Sequence, residues 1–400
     1  MGKNTSTPPE VRRATHPQIN WVATLMFIVS MVLGVILTPL YGWFIDPFDW
    51  VEWTTCLVFL YFSGTAITAG YHRLWSHNAY QASKAFKWWL AFWGAASVQN
   101  SILVWSAGHR IHHRHVDDKE KDPYSINNGF WFAHMGWMIR NYDSGKLDFT
   151  NVNDLKKDVV VMTQHRHYAG FVIASTIVLP MVLGWLNGDV LGMFLLAGAT
   201  RLVLNHQFTF FINSLCHVWG KQPYTNTNTA KDNGLLAMVT YGEGYHNFHH
   251  YFQTDYRNGV RWWQFDPTKW MIFLASKIGL ASRLRRVPEF KIQEAMVKMQ
   301  LEKAAKHLAQ AQNAEASSIR QAIEREYQQF RQTLDSWTKL NGEWMKKQRE
   351  SLNEKSESMR QRIEQSTFLT QIRELEAMLR QQKARLTELN RLFLNQQATV

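Results

Sequence analysis

Four runs of this chain carry almost no charge over the length of a bilayer, and that limits its fold more than any other feature. Trp21 to Leu40 has no ionisable residue at all, and Val51 to Ala69 has Glu52 only at its outer edge. Tyr168 to Leu186 and Val190 to Ile212 follow, the last interrupted by Arg201 alone among charged groups. A helix needs about 20 apolar residues to cross the hydrocarbon core. One such run could be the buried helix of a soluble protein, but four in the first part of a chain point to a membrane. A fifth candidate, Trp88 to Trp105, is broken by Gln99, Asn100 and Ser101 and reads as a helix in or near the interface. The expected architecture is an all-α integral membrane protein with spans at about 21–40, 51–69, 168–186 and 190–212.

The connecting segments predict the orientation. YGWFIDPFDW and LNGDV lack Lys and Arg, whereas the amino terminus carries Lys3, Arg12 and Arg13, and the 73–166 segment is crowded with basic residues. The positive-inside bias therefore places both termini and the large central segment in the cytosol. The opening residues, MGKNTSTPPEVRRATH, have no apolar stretch of the kind a cleaved signal requires. Three parts are expected: a cytosolic segment 1–20, a membrane domain 21–287, and a tail 288–400.

The tail has another composition. After Pro288 it has no further proline and one glycine, Gly342, with apolar residues at helical spacing. Ile319, Ile323, Phe330, Leu334, Trp337 and Trp344 form one set; Ile372, Leu375, Leu379, Leu386, Leu389 and Phe393 form a second that steps partly by sevens. A helical hairpin packed on itself and a coiled coil for self-association both satisfy this pattern.

Composition removes several classes of function. The two cysteines, Cys56 and Cys216, exclude a disulfide framework, a cysteine-based zinc site and an iron–sulfur cluster. A formal net charge of +12 suits anionic headgroups or an acidic protein partner. Nothing resembling a nucleic-acid motif accompanies that charge, so no nucleic-acid partner is expected.

The chemistry is in the histidines. HRLWSH places His72 and His77, HRIHHRH places His109, His112 and His113, and GEGYHNFHH places His246, His249 and His250. Eight of the 16 histidines thus fall at spaced positions in three short stretches of the expected cytosolic face. Residues i, i+3 and i+4 share one face of a helix, so each triplet makes a three-nitrogen claw. His72 and His77, five apart, converge only where the helix ends or unwinds. Neutral imidazole binds Zn, Fe, Cu or Ni. Eight ligands exceed one open zinc site, which uses three protein ligands, so two metals are the natural count. No HExxH supplies a zinc protease's general base, and the carboxylates of ferritin-like di-iron sites are missing. His206, Phe210, Asn213 and His217 form a further stripe, with Thr209 beside it. Isolated histidines such as His134 and His165 read as hydrogen-bonded core residues, and Arg201 as a tie to backbone carbonyls.

HRLWSH, HRIHHRH, NSLCH and GEGYHNFHH, in this order between these spans, resemble the membrane-bound acyl-CoA desaturases of the stearoyl-CoA, Δ9 type. The resemblance covers roughly residues 16 to 287. It implies two irons held by His72, His77, His109, His112, His113, His217, His246, His249 and His250, with Asn213 reaching one metal through water. It implies a bent hydrophobic tunnel, with Gln99, Trp105 and Thr209 at the bend and Leu60 and Gly64 at the closed end. His115 stands where the family often has tyrosine and is not counted as a ligand.

The resemblance further implies an acyl-CoA substrate and O2, and insertion of a cis double bond. Electrons would come from a separate donor, a ferredoxin or flavin reductase system or a cytochrome b5-like protein, since the chain has no redox-cofactor signature of its own. Zinc is the metal imidazole would take in place of iron in overexpressed protein. The long tail resembles that of certain bacterial members, which places the chain in a bacterial cytoplasmic membrane. Two other readings stay open: a membrane di-iron fatty acid or alkane hydroxylase, and a non-enzymatic metal transporter.

Overall fold

A computed structural model describes residues 17–308, 314–351, 369–382, 384, 385 and 388. Two compact units divide the chain: residues up to Lys221 with Asn228–Arg286, and Gln222–Thr227 with the residues from Val287 onward. Most of the expected amino-terminal segment, and Leu386, Leu389 and Phe393 of the heptad set, lie outside the described residues.

The first unit is helical, its one described sheet being the antiparallel pair Gln81–Ala82 and Ala281–Ser282. Its first long helix, Trp21–Phe44, starts where Asn20 Oδ1 accepts from the Ala23 amide at 3.3 Å. The next starts at Trp50 through a reciprocal capping box: Asp49 accepts from the Glu52 amide and Glu52 from the Asp49 amide, both at 2.9 Å. This helix runs without a break through Thr65 into a π-helical stretch, Ala66–Ser76. Lys84–Ala95 packs back on it, with Trp93 against Phe59 and Trp89 against Phe62. A sharp break at 96–101 then leads into Ile102–Arg114, capped by Ser101. The expected interfacial segment 88–105 is therefore two helices joined by a turn. In that turn Val98 and Asn100 hold positive φ of 50° and 73°, a region that disfavours a β-branched residue.

Trp21–Phe44 and Tyr168–Asn187 are long and apolar enough to cross a membrane. Their large side chains point outward: Val22 is 83% exposed and Trp185 73%. In water this would be an apolar patch of unusual size. The other two expected spans are also continuous helices, 50–76 and 190–213, but they carry more polar groups. Those groups are turned inward and tie the helices together. Asn205 donates to Ser63 Oγ at 2.8 Å and to Ser97 Oγ at 3.0 Å, and Arg201 donates to the carbonyls of Ala197 and Ala96. Arg201 is thus the backbone tie read from the sequence.

In the second unit, Glu289–Leu308, Ala314–Ser351 and a helix over 369–382 share one apolar core. Phe330, Leu334 and Trp337 are buried with Val297, Ile372 and Leu379. Gln382 donates to Thr333 Oγ1 at 3.1 Å within the same bundle. The described part of the heptad stripe therefore finds apolar partners inside its own chain.

Candidate metal centre

Each histidine is placed by a local device. His77 follows His72 by five residues, and the His77 amide donates to the His72 carbonyl at 3.1 Å. A bond of that span belongs to a widened helix, which brings residues five apart into line. The two imidazoles converge because the helix widens in its last turn and then ends at Ser76, with His77 as its cap. His109, His112 and His113 share one face of Ile102–Arg114, and His246, His249 and His250 share one face of His246–Tyr251. His217 lies on the short turn Leu215–Val218, just beyond the end of helix 190–213.

The glycines of GEGYHNFHH permit close approach. Gly242 sits at φ +99°, and a Cβ there would run into the Asp266 carboxylate; one at Gly244 would run into the Ala237 backbone. The tight path between them carries Glu243 into the interior.

Nine imidazoles form two groups. His72, His77, His109, His113 and His249 make the first, His112, His217, His246 and His250 the second, and within each group the ligand atoms lie within 4.8 Å of one another. In the first, Nε2 of His249 is 2.9 Å from that of His72 and 3.0 Å from that of His113. In the second, Nε2 of His246 is 3.1 Å from that of His217 and 3.0 Å from that of His250.

For His72, His112 and His217 an acceptor beside the outer nitrogen turns Nε2 inward. Nδ1 of His72 lies 3.0 Å from Glu243 Oε2, and Nδ1 of His112 lies 2.9 Å from Asp122 Oδ1. Nδ1 of His217 is 2.6 Å from Thr229 Oγ1, whose hydroxyl donates to Asp117. A neutral imidazole has one N–H, and a carboxylate only accepts. With that proton at Nδ1, Nε2 presents its lone pair to other lone pairs, an arrangement that a central cation resolves. Carboxylate-oriented histidines of this kind are the usual outer support of a metal site.

Burial and neighbouring histidines also hold His77, His109, His113, His246, His249 and His250 well below the ordinary imidazole range. Burial likewise pushes His217 down to about 3. Neutral imidazole is the form that binds metal. The donor set is all nitrogen, with no thiolate near it, and fits two ions of the kind imidazole prefers.

Behind the first group runs a buried ionic chain. Arg73 donates to Glu243 Oε1 at 2.9 and 3.2 Å and to both Asp266 oxygens at 3.1 Å, and Asn258 donates to Glu243 Oε2 at 2.6 Å. Burial alone would raise the Glu243 carboxyl, but His72 and Arg73 hold it below the usual carboxylate range.

A cavity of about 560 Å³ reaches both groups. Apolar side chains such as Met26, Phe27, Ile67 and Phe210 line it, and His72, His109, His112 and His246 border it. That volume lies within the range of about 300–1,000 Å³ typical of ligand pockets. Gln99, Trp105, Thr209 and Asn213 are all in its wall. Three of them are bonded in series: Trp105 Nε1 donates to Gln99 Oε1 at 3.4 Å, and Gln99 Nε2 to Thr209 Oγ1 at 2.9 Å. Leu60 and Gly64 are not among the lining residues, although Ile67, one turn on from Gly64, is. The Leu60 carbonyl accepts from Tyr241 OH at 3.1 Å, and the Tyr241 ring lies so close to Gly64 that any Cβ would strike it.

Residues 48–277 match the fatty acid desaturase family. The chain belongs to that family. It is 41% identical over 292 residues to a probable acyl-CoA desaturase of Schizosaccharomyces pombe, covering 72% of this chain and 61% of the relative. It is 38% identical over 300 residues to acyl-CoA desaturase 1 of Saccharomyces cerevisiae, covering 74% and 57%. An sn-2 palmitoyl-lipid 9-desaturase of Nostoc is 34% identical over 284 residues, covering 69% of this chain and 94% of the relative. The chain thus spans less than two thirds of the length of either yeast relative.

Other histidines take the ordinary roles read from the sequence. His134 lies 2.9 Å from Ser214 Oγ and 3.1 Å from Gln207 Oε1, and His165 is 2.7 Å from Ser101 Oγ. His206, on the same stripe as His217, bonds the Ser97 carbonyl at 2.8 Å instead of joining a group. Sequence reasoning missed the outer partners Glu243, Asp122, Asp117, Thr229 and Arg73. Glu243 and Arg73 stand inside the quoted motifs, so motif membership was the available signal. Asp117 and Asp122 belong to an acidic run, VDDKEKDP, that reads as solvated surface.

Proposed function

We propose that this chain is an O2-dependent fatty acyl desaturase that inserts a cis double bond, at Δ9, into a saturated acyl-CoA. The observation that carries the reading is two all-histidine groups bordering one apolar cavity, in a chain of the desaturase family. The nine clustered histidines would hold two irons, and Asn213, in the cavity wall and four residues before His217, would reach one through water. Iron held there would supply the O2 chemistry that no side chain can provide.

The protein's own part is placement. The apolar wall holds the acyl chain, and the Trp105–Gln99–Thr209 series holds the bend that decides which carbons lie near the histidines. Glu243 and Asp122 keep His72 and His112 turned with Nε2 inward. Leu60 and Gly64 are assigned the closed end, acting through the Tyr241 ring that packs on Gly64. Four helices, 21–44, 50–76, 168–187 and 190–213, are assigned as spans, with both termini and the histidines on the cytosolic side. Residence in a bacterial cytoplasmic membrane rests on the likeness of the tail alone. Electrons come from a separate protein donor, drawn to the basic cytosolic face.

Two measurements test this reading. Lipids from a host expressing the protein should gain cis-monounsaturated acyl chains by mass spectrometry; hydroxylated chains in their place would favour the hydroxylase. Anaerobically purified protein should hold two irons per chain by elemental analysis, and one metal at full occupancy would sink the two-metal centre.

Gly64→Leu must push the Tyr241 ring aside, and each methylene excluded from an apolar pocket changes discrimination by about 1–3 kcal/mol. Product from mixed acyl chains should therefore shift toward shorter lengths, with the double bond at the same carbon from the carboxyl end. A uniform drop across lengths would instead mark a packing defect and remove Gly64 from this role. Truncation after about residue 290 should leave metal content and turnover intact, because every candidate ligand precedes it. We assign the tail to self-association or membrane organisation. A truncated protein that folds yet holds no iron would contradict this assignment.

A further inference from the structure

We infer that the Gly234–Val239 and Pro267–Lys277 helices, with the tryptophan loop between them, sit in the cytosolic leaflet, their outer faces on lipid acyl chains and anionic headgroups. The inference rests on the assignment of helix 50–76 as a span, and depth along that helix is its starting point. An α-helix rises about 1.5 Å per residue, so Leu60 lies roughly 15 Å past Trp50 and Thr68 roughly 27 Å past it. With Trp50 at the far boundary of a core about 30 Å thick, Leu60 is near mid-bilayer and Thr68 near the cytosolic boundary.

Parts of the expected cytosolic cap are bonded at those depths. Tyr241 donates its hydroxyl to the Leu60 carbonyl at 3.1 Å. Thr268, on the first turn of Pro267–Lys277, lies 2.6 Å from Thr68 Oγ1 and donates to the Tyr241 carbonyl at 2.8 Å. A tyrosine ring spans only a few ångströms, so the backbone around Tyr241 lies below the level where water begins. The adjoining elements must then meet lipid.

Their outer faces match that surrounding. Leu235 and Met238, three apart on one helix face, are 65% and 57% exposed. Pro267–Lys277 buries Thr268, Ile272 and Ala275 inward and exposes Trp270, Phe273 and Leu274 outward, followed by Ile278 at 72%. A helix apolar on both faces, with one face unpartnered, is unsuited to water.

The loop before it is built to present aromatics. Buried Lys269 donates its ammonium to the carbonyls of Gly259, Arg261 and Gln264 at 2.7, 2.7 and 2.9 Å. The loop so tied projects Trp262 and Trp263, 85% and 60% exposed. Tryptophan is enriched at the headgroup level. From Arg257 to Arg286 the sole acid is Asp266, which is buried, while Arg261, Lys277, Arg283 and Arg285 are exposed. An apolar face edged by cations with no exposed acid is complementary to an anionic leaflet.

The test uses the full chain in nanodiscs of phosphatidylcholine and phosphatidylglycerol. Environment-sensitive fluorophores are attached to Met238→Cys, Leu274→Cys and Trp262→Cys in separate variants; the native Cys56 and Cys216 are buried and leave labelling selective. Leu57→Cys, on the exposed side of helix 50–76, is the lipid control, and Glu120→Cys, on an exposed loop, is the water control. Brominated phospholipid should quench Met238 and Leu274 as strongly as Leu57, with iodide sparing all three. Trp262 should be quenched best by bromines near the headgroup. If Met238 and Leu274 follow Glu120, quenched by iodide while Leu57 is not, the inference is overturned and the spans stand; a protein partner would then be what this face serves. If Leu57 is also quenched by iodide, the assignment of the span falls and takes the inference with it.

Discussion

His249→Ala is expected to reduce turnover to background and to lower the metal content below two per chain, while the protein still enters the membrane. His249 is the meeting point of its group, with Nε2 2.9 Å from that of His72 and 3.0 Å from that of His113. Loss of a partner merely outside the metal shell typically costs about 10–100-fold in affinity or activity, and removal of a ligand should exceed that. The apolar helices that carry the chain into the bilayer are untouched by the change. His134→Ala is the matched control. It removes an equally buried imidazole, but one that bonds Ser214 and Gln207 and joins neither group. Leaving those partners unsatisfied should cost about 1–3 kcal/mol of stability with both metals retained. Elemental analysis, thermal unfolding in detergent and product quantification on the two variants decide the matter. Equal loss of metal and activity in both, at equal expression, would show that the ligand groups are misassigned.

The contrast between these two histidines shows what could be read from the sequence. Spacing alone separated clustered from isolated imidazoles, because i, i+3 and i+4 share a face on any helix. The convergence of His72 and His77 needed more: spacing demanded that the helix end or unwind between them, and the backbone shows it widening and then ending at Ser76. His206 marks the opposite limit. It shares the stripe of His217, yet its ring turns to the Ser97 carbonyl, because the break at 96–101 brings that carbonyl to it. Sequence order does not reveal which loop will cross a given helix face.

Hydropathy was informative in a similar, partial way. Helices 21–44 and 168–187 are apolar throughout and pass on length and composition. Helices 50–76 and 190–213 carry serine, threonine, asparagine and arginine that serve one another inside the bundle, so their averages understate how apolar their outer faces are. The outer partners of the histidines were hardest to find. Asp122 contacts His112 from ten residues further along the chain, and an acidic run gives no hint of which member turns inward.

Arg73→Met should be the most damaging change outside the ligands themselves. Arg73 is 1% exposed and binds two buried carboxylates, Glu243 and Asp266, as well as the Tyr256 carbonyl at 2.8 Å. Methionine fills much of the same space but leaves both carboxylates without their cation. Breaking a buried ion pair by removing one partner costs about 3–5 kcal/mol, a large share of the roughly 5–15 kcal/mol that holds a typical domain together. Arg73→Lys keeps the charge but not the fork that meets two carboxylates at once, so it should fall between the wild type and Arg73→Met. Adding Glu243→Gln to Arg73→Met removes one stranded charge and should recover part of the lost stability. It should not recover metal binding, because an amide facing His72 Nδ1 no longer fixes the proton there as a carboxylate does. Thermal unfolding and metal stoichiometry across the four proteins separate the two effects. If Arg73→Met unfolds with the wild type and carries two metals, the ionic chain is a bystander and His72 is oriented by its helix alone. If the double variant regains both stability and metal, the charge of Glu243 matters for folding only, and its contact with His72 adds nothing to the centre.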